Sequence, residues 1–150
     1  DVHHGNGTQD ILWDERRALT LTSQQFPLWP GTGRADETGA HDNVLNLPLP
    51  PGSGGAEMRH AWGEHAFPRL REFRPDLLII SAGFDAHRDD PLAQLNWGIG
   101  DFAWITAELC AIAAEQCGGR VVSTLEGGYD LQSLAASAKA HVEELIKAAT

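Results

Sequence analysis

Three short stretches carry side chains that could do chemistry together. The first is Asp1-Val2-His3-His4-Gly5. In an extended backbone, residues i and i+2 project to the same face, so Asp1 and His3 bring a carboxylate and an imidazole to one side. The second follows the apolar run Leu77-Leu78-Ile79-Ile80 through Ser81-Ala82-Gly83-Phe84 to Asp85. Gly83 permits a sharp turn that aims Asp85 back over a sheet. One imidazole nitrogen and two carboxylate oxygens suit zinc, with one position left open for water and a substrate carbonyl. The third, Glu126-Gly127-Gly128-Tyr129, sets a phenol at the end of another apolar run. Taken singly, each stretch also reads as ordinary structure: a turn, a helix start, a turn with a packed tyrosine. Their shared position at the ends of strands favours a common site, because open parallel sheets bind ligands beyond the carboxyl ends of their strands.

The elements that must position these residues alternate. The first residues read as the end of a strand that turns at Gly5-Asn6-Gly7, and Thr8–Trp13 as a short helix with Thr8 as N-cap. Ala18–Thr22 reads as a strand, Gln24–Asn43 as a functional or mobile loop, and Val44–Leu49 as an extended segment stopped by Pro50-Pro51. Gly55–Phe73 has a helical stripe that Pro68 must kink or divide. Asp76–Ala82 reads as a strand buried on both faces. Asp101–Gln116 is a helix stopped by Gly118-Gly119, Arg120–Leu125 a strand, and Leu131–Ala149 a terminal helix. This alternation implies an α/β fold, a mainly parallel sheet with helices on both sides.

Composition narrows the function classes. Over 150 residues, 42% are hydrophobic and 21% charged, ordinary globular usage that argues against disorder. No apolar run is long enough to cross a membrane. A net charge of −10 repels phosphates, which excludes general binding to nucleic acid or to an anionic membrane surface. Cys110 and Cys117 stand about 10 Å apart along one predicted helix. They are therefore expected as free thiols rather than as a disulfide or zinc ligands, in a reducing cytoplasm.

The chain resembles the carboxyl-terminal half of the zinc-dependent histone deacetylase superfamily, especially its bacterial histone deacetylase-like amidohydrolases, acetylpolyamine amidohydrolases and class II deacetylases. The stretches that carry the resemblance run in family order across nearly the whole chain. They are Asp1–Gln9, Pro30-Gly31-Thr32-Gly33, Asp36-Glu37-Thr38-Gly39, Asn46–Gly52, Ser81–His87 and Leu125–Asp130. The resemblance implies a three-layer α/β/α arginase/deacetylase-like fold, of which residues 1–150 would form the carboxyl-terminal part of one catalytic domain. It implies hydrolysis of acetyl or other acyl amides, such as acetyl-lysine or acetylpolyamines. Asp1, His3 and Asp85 would hold zinc, and Tyr129 would donate to the scissile carbonyl and its oxyanion. Gly127 and Gly128 would let the backbone approach the substrate. Trp29 and Leu92 would wall the acyl-lysine tunnel, with Phe84 packed nearby. Asn6 would orient a catalytic histidine, and His4 and His87 would have supporting roles near the site. A potassium ion would use the carbonyls of Asp1 and His3 and the hydroxyl of Thr22, beside Ser23. Gln24 stands where many relatives carry histidine.

One departure matters. The family's acid/base histidine pair lies upstream of Asp1, and His41, His60, His65 and His141 do not match its context. The expectation is that residues 1–150 hold the metal half of the site, bind zinc weakly and turn over poorly alone. Uncovered apolar surface would favour aggregation, a homo-oligomer or association with the remaining half of the domain. Two other readings compete. One is a binuclear-manganese ureohydrolase, which needs further ligands near Asp85, such as His87. The other is a non-catalytic acyl-lysine-binding or structural module.

Overall fold

In a computed structural model, which describes residues 1–150, the apolar run after Pro75 and the one after Gly119 become adjacent parallel strands. These are β3 (Leu78–Ala82) and β4 (Val121–Leu125), in register from Leu78 opposite Val121 to Ala82 opposite Leu125. A second parallel pair is formed by β1 (Thr20–Gln25) and β2 (Val44–Leu49), with Thr20 opposite Val44 and Gln25 opposite Leu49. The strands are parallel, as the alternation predicts, but they form two pairs instead of one continuous sheet. Asp1 and Val2 stand between the pairs and bond to both. Gln25 N–H donates to the Val2 carbonyl at 2.9 Å, and the Asp1 amino group donates to the Gly83 carbonyl at 3.2 Å. This segment is irregular and not the strand end that the sequence suggests.

The helices are α1 (Asn6–Leu12), α2 (Gly55–Ala61), α3 (Phe67–Phe73), α4 (Ile99–Cys117) and α5 (Leu131–Ala148). α1 starts two residues before Thr8, and Gly5 is its N-cap. α4 starts two residues before Asp101, because the Asp101 carboxylate reaches back to accept from Gly98 N–H at 2.8 Å. Gly118, at φ +60°, closes α4 in the left-handed conformation. The stripe over Gly55–Phe73 is not one kinked helix. A π-helical turn, Trp62–Ala66, joins α2 to α3, and Phe67 N–H donates to the Trp62 carbonyl. Pro68 then follows the π turn at the second position of α3, where the widened turn accommodates the N–H it lacks. Cys110 and Cys117 are buried free thiols.

One core joins β2, α2, the π turn, α3, α4 and the segment after β3. It includes Val2, Leu47, Met58, Trp62, Phe67, Phe84, Leu95, Trp97, Phe102 and Ile112. The β3–β4 pair meets that core with one face only. Leu78 and Ile80 pack inward, whereas Ile79 is 64% and Val122 53% exposed. Within residues 1–150 the strand expected to be buried on both faces is thus covered on one. α4 and α5 cover one side of the pair, and the alternation of the pleat turns every second side chain away from them.

Met58 is fully buried at the centre of this core. Met58→Ala is expected to cost roughly 3 kcal/mol, because it combines lost transfer energy with a cavity. A urea titration that follows tryptophan fluorescence would read the change.

Candidate metal centre

β3 and β4 end level with each other, and their pairing continues into the loops beyond. Glu126 N–H donates to the Ala82 carbonyl at 2.9 Å, and Phe84 N–H to the Gly127 carbonyl at 2.7 Å. These bonds bring the two turns against Asp1–His3. One ligand atom each from Asp1, His3 and Asp85 lies within 4.8 Å of the others. His3 Nδ1 is 3.1 Å from Asp85 Oδ2 and 3.3 Å from Asp1 Oδ1. Backbone N–H groups anchor the carboxylates. Asp85 Oδ1 accepts from Val2 at 2.6 Å, Asp1 Oδ1 from His3 at 2.7 Å, and Asp1 Oδ2 from Gly127 at 3.0 Å.

This donor set fits zinc. Two carboxylates converge on one imidazole, and neither is paired with lysine or arginine. Asp85 is 1% exposed, so its charge needs a local cation or donors. Two glycines let the turns close this tightly. A Cβ on Gly127 would collide with the Asp85 and Asp1 carboxylates, and one on Gly83 would collide with Asp1. The predicted close approach at Gly127 is thus made to the ligands themselves.

The cluster opens on a cavity of about 1230 Å³ that Trp29, Leu92 and Tyr129 also line, and that extends under the uncovered face of β3. The Trp29 ring stands edge-on to His3, with centroids 6.1 Å apart. Trp29, Leu92 and Tyr129 are each more than half exposed, although all three are large and apolar or aromatic. Gly128, at φ +143°, makes the turn that presents Tyr129. Asp130 then caps α5 by accepting from Ser133 N–H at 2.8 Å, and the Ser133 donors hold its carboxyl below the usual range.

The other predicted residues fall nearby in different ways. Phe84 packs on Phe102 and His141, as expected of a core residue. Thr22 stands on β1 and not in the Asp1–His3–Asp85 cluster. Its hydroxyl donates toward Asn46 Oδ1 (2.8 Å) and Gln24 Oε1 (2.9 Å). Asn6 opens α1 immediately after the ligand segment. His87 is buried, stacks on Phe102 and accepts from Asp89 N–H at 3.2 Å. His41 pairs with Asp14, His60 and His65 are exposed, and His141 is held between the Thr106 and Ser123 hydroxyls. Burial holds the His141 pKa below its usual value. None of these histidines joins the metal cluster.

A polar chain behind the site, buried at His4 and Gln9, was not legible in the sequence as a unit. His4 Nδ1 meets the Thr32 hydroxyl at 2.7 Å, and His4 Nε2 meets Gln9 Oε1 at 2.9 Å. Gln9 Oε1 can only accept, so Nε2 carries a proton and donates to it. Gln9 Nε2 donates to Glu37 at 2.7 Å, and Glu37 also accepts from Gly33 and Arg34 N–H. This chain ties α1 to the loop after Trp29. Histidine beside a ligand and glutamate inside a family stretch were the available signals, but their pairing is a tertiary fact. Burial acts to raise the Glu37 pKa, yet the donors from Gln9, Arg34 and Gly33 outweigh it and hold it below 4.5. A lowered carboxyl stabilises the fold fully above pH 4.5, and that contribution is lost as pH falls through the lower folded value. Glu37→Gln is therefore expected to destabilise by about 1 kcal/mol at pH 7. The difference from wild type should shrink towards acid in thermal melts run between pH 7 and pH 3.

The histone deacetylase domain family matches residues 1–145. The chain is 46% identical over 140 residues to histone deacetylase 10, chloroplastic, of Oryza sativa subsp. japonica, which covers 91% of this chain and 32% of that protein. It superimposes on the crystal structure of the HDA15 HD domain with TM-score 0.88 at 36% identity, over 98% of this chain and 42% of that one. It superimposes on acetylpolyamine aminohydrolase from Burkholderia pseudomallei with TM-score 0.84 at 34% identity, over 97% and 42%. The chain thus spans less than half the length of each of these three. The fold is the α/β arginase/deacetylase type, and the chain belongs to the histone deacetylase domain family.

Proposed function

We propose that residues 1–150 carry the metal half of an active site for zinc-dependent hydrolysis of acyl amides, with acetyl-lysine or an acetylpolyamine as substrate. The observation that carries this reading is the convergence of Asp1, His3 and Asp85 at a cavity that Tyr129, Trp29 and Leu92 also line. Zinc held by the three side chains supplies Lewis acidity to the acyl carbonyl and the attacking water. Tyr129 donates its phenol hydrogen to the carbonyl oxygen and keeps that bond as charge develops on it. Trp29 and Leu92 flank the acyl-lysine stem and exclude water from it. Gly127 keeps the space beside the Asp1 and Asp85 carboxylates free of a side chain, whereas a Cβ on Gly128 would meet Leu134 and Phe84. Potassium at Thr22 would steady the strand behind His3.

The acid/base histidine pair is supplied from outside these residues, by the rest of the same domain seated over the uncovered face of Ile79 and Val122. Their exposure and the share of each relative that the chain covers support this arrangement. His87 is enclosed by Phe102 and the Asp89 backbone, which argues against a second manganese beside Asp85. Two free buried thiols suit a reducing compartment, and we place the reaction in the cytoplasm. No helix is long and apolar enough to cross a membrane.

Calorimetric titration of zinc into the chain is expected to give one equivalent bound, and none in Asp85→Ala. In the whole catalytic domain, Tyr129→Phe should keep the zinc and lower kcat on an acetyl-lysine peptide by about 10²–10³-fold. Turnover by residues 1–150 alone would overturn the division of the site. Zinc bound equally by Asp85→Ala would overturn the ligand assignment.

A further inference from the structure

We infer that Asp90 is a positioning residue for Tyr129, which its carboxylate ties to the Leu92 backbone; this rests on the reading of Tyr129 as the oxyanion donor. Asp90 is 6% exposed and has no lysine or arginine partner. Its Oδ2 accepts from Tyr129 N–H at 2.8 Å and its Oδ1 from Leu92 N–H at 3.0 Å. A buried carboxylate satisfied by two backbone donors is strongly tied to both, because losing either bond leaves charge without compensation.

The Tyr129 side of that bridge needs the support, and the Leu92 side supplies it. Tyr129 follows Gly128, whose φ of +143° lies outside what other residues adopt, and its own side chain is 53% exposed. Packing therefore holds the ring only in part, and the Asp90 bond fixes the backbone from which the phenol projects. Leu92 is likewise half exposed. Beyond it the segment is rigid. Gln94 N–H donates to Gln25 Oε1 at 2.8 Å, Gln25 Nε2 returns a bond to Gln94 Oε1 at 2.5 Å, and Gly52 N–H donates to the Gln94 carbonyl at 2.8 Å. Asp90 thus transmits the position of a segment pinned to β1 onto the tip of the β4 turn. A displacement of about 1 Å at a reacting group costs on the order of 10²-fold in rate.

Asp90→Asn keeps the shape but turns an amide NH₂ toward one of the two backbone donors. In the whole catalytic domain it is expected to lower kcat on an acetyl-lysine peptide about 10–100-fold, with zinc stoichiometry and affinity unchanged. In a Tyr129→Phe background the same substitution should cost less than about 3-fold, because the residue it positions has already lost its hydroxyl. An equal loss in both backgrounds, or an unchanged kcat, overturns the inference. Amide hydrogen exchange of the wild-type domain gives a readout that does not depend on the variant's folding. The Tyr129 amide should be protected, and exchange at open-chain rates overturns the inference. A wild-type domain without hydrolysis overturns the deacetylase reading instead, and the Tyr129 amide then decides the Asp90 contact by itself.

Discussion

Two carboxylates pointed at one spot repel each other, and the structure around the site is arranged to hold Asp1 and Asp85 there. Neither is neutralised by a basic side chain. Each is held by backbone N–H groups, from Val2, His3 and Gly127, which are part of the chain's own turns and cannot swing away. That requirement reaches outward. It demands that β3 and β4 end level, that Gly127 and Gly83 lack a Cβ, and that Asp1–Val2 lie between the two strand pairs. A cation then gains most from a site whose repulsion has already been overcome by folding.

The side chains that would meet substrate are treated in the opposite way. Trp29, Leu92 and Tyr129 stay exposed, while the segments that carry them are fastened from behind by hydrogen-bonding side chains. Glu37 and Gln9 fasten the loop after Trp29, and Gln25 fastens the segment after Leu92. The apolar core supports this from the far side, through Phe84 and Phe102. Specific hydrogen bonds suit this task better than apolar contact, because they fix direction as well as distance.

Much of this was legible in the sequence, and the reasons for success and failure are physical. Strand ends were readable because Gly83 and Gly127 punctuate apolar runs, and helix α5 because no glycine or proline interrupts Leu131–Ala148. Asp1, His3 and Asp85 converge as their placement suggests, because the i, i+2 spacing and the turn at Gly83 set the directions of their side chains. The start of α4 was missed by two residues because Asp101 works backwards as a capping partner. The π turn was missed because a wide turn leaves almost the same periodic stripe as an α-helix. Exposure of Ile79 was unreadable from an apolar run, since such a run looks the same whether one face or both are covered. Glu37 and Gln9 could not be paired from sequence, because 28 positions separate them.

The Val2–Asp85 bond joins residues 83 positions apart, and the Gly127–Asp1 bond joins residues 126 apart. Such contacts sit at the far end of the folding reaction, since long loops must close before they are rewarded. The site is therefore a report on completed assembly: helices and the β3–β4 pair can form without it, but it cannot form without them. A metal bound there would act as a clasp across the most distant parts of the chain, lending its affinity to the order of the whole.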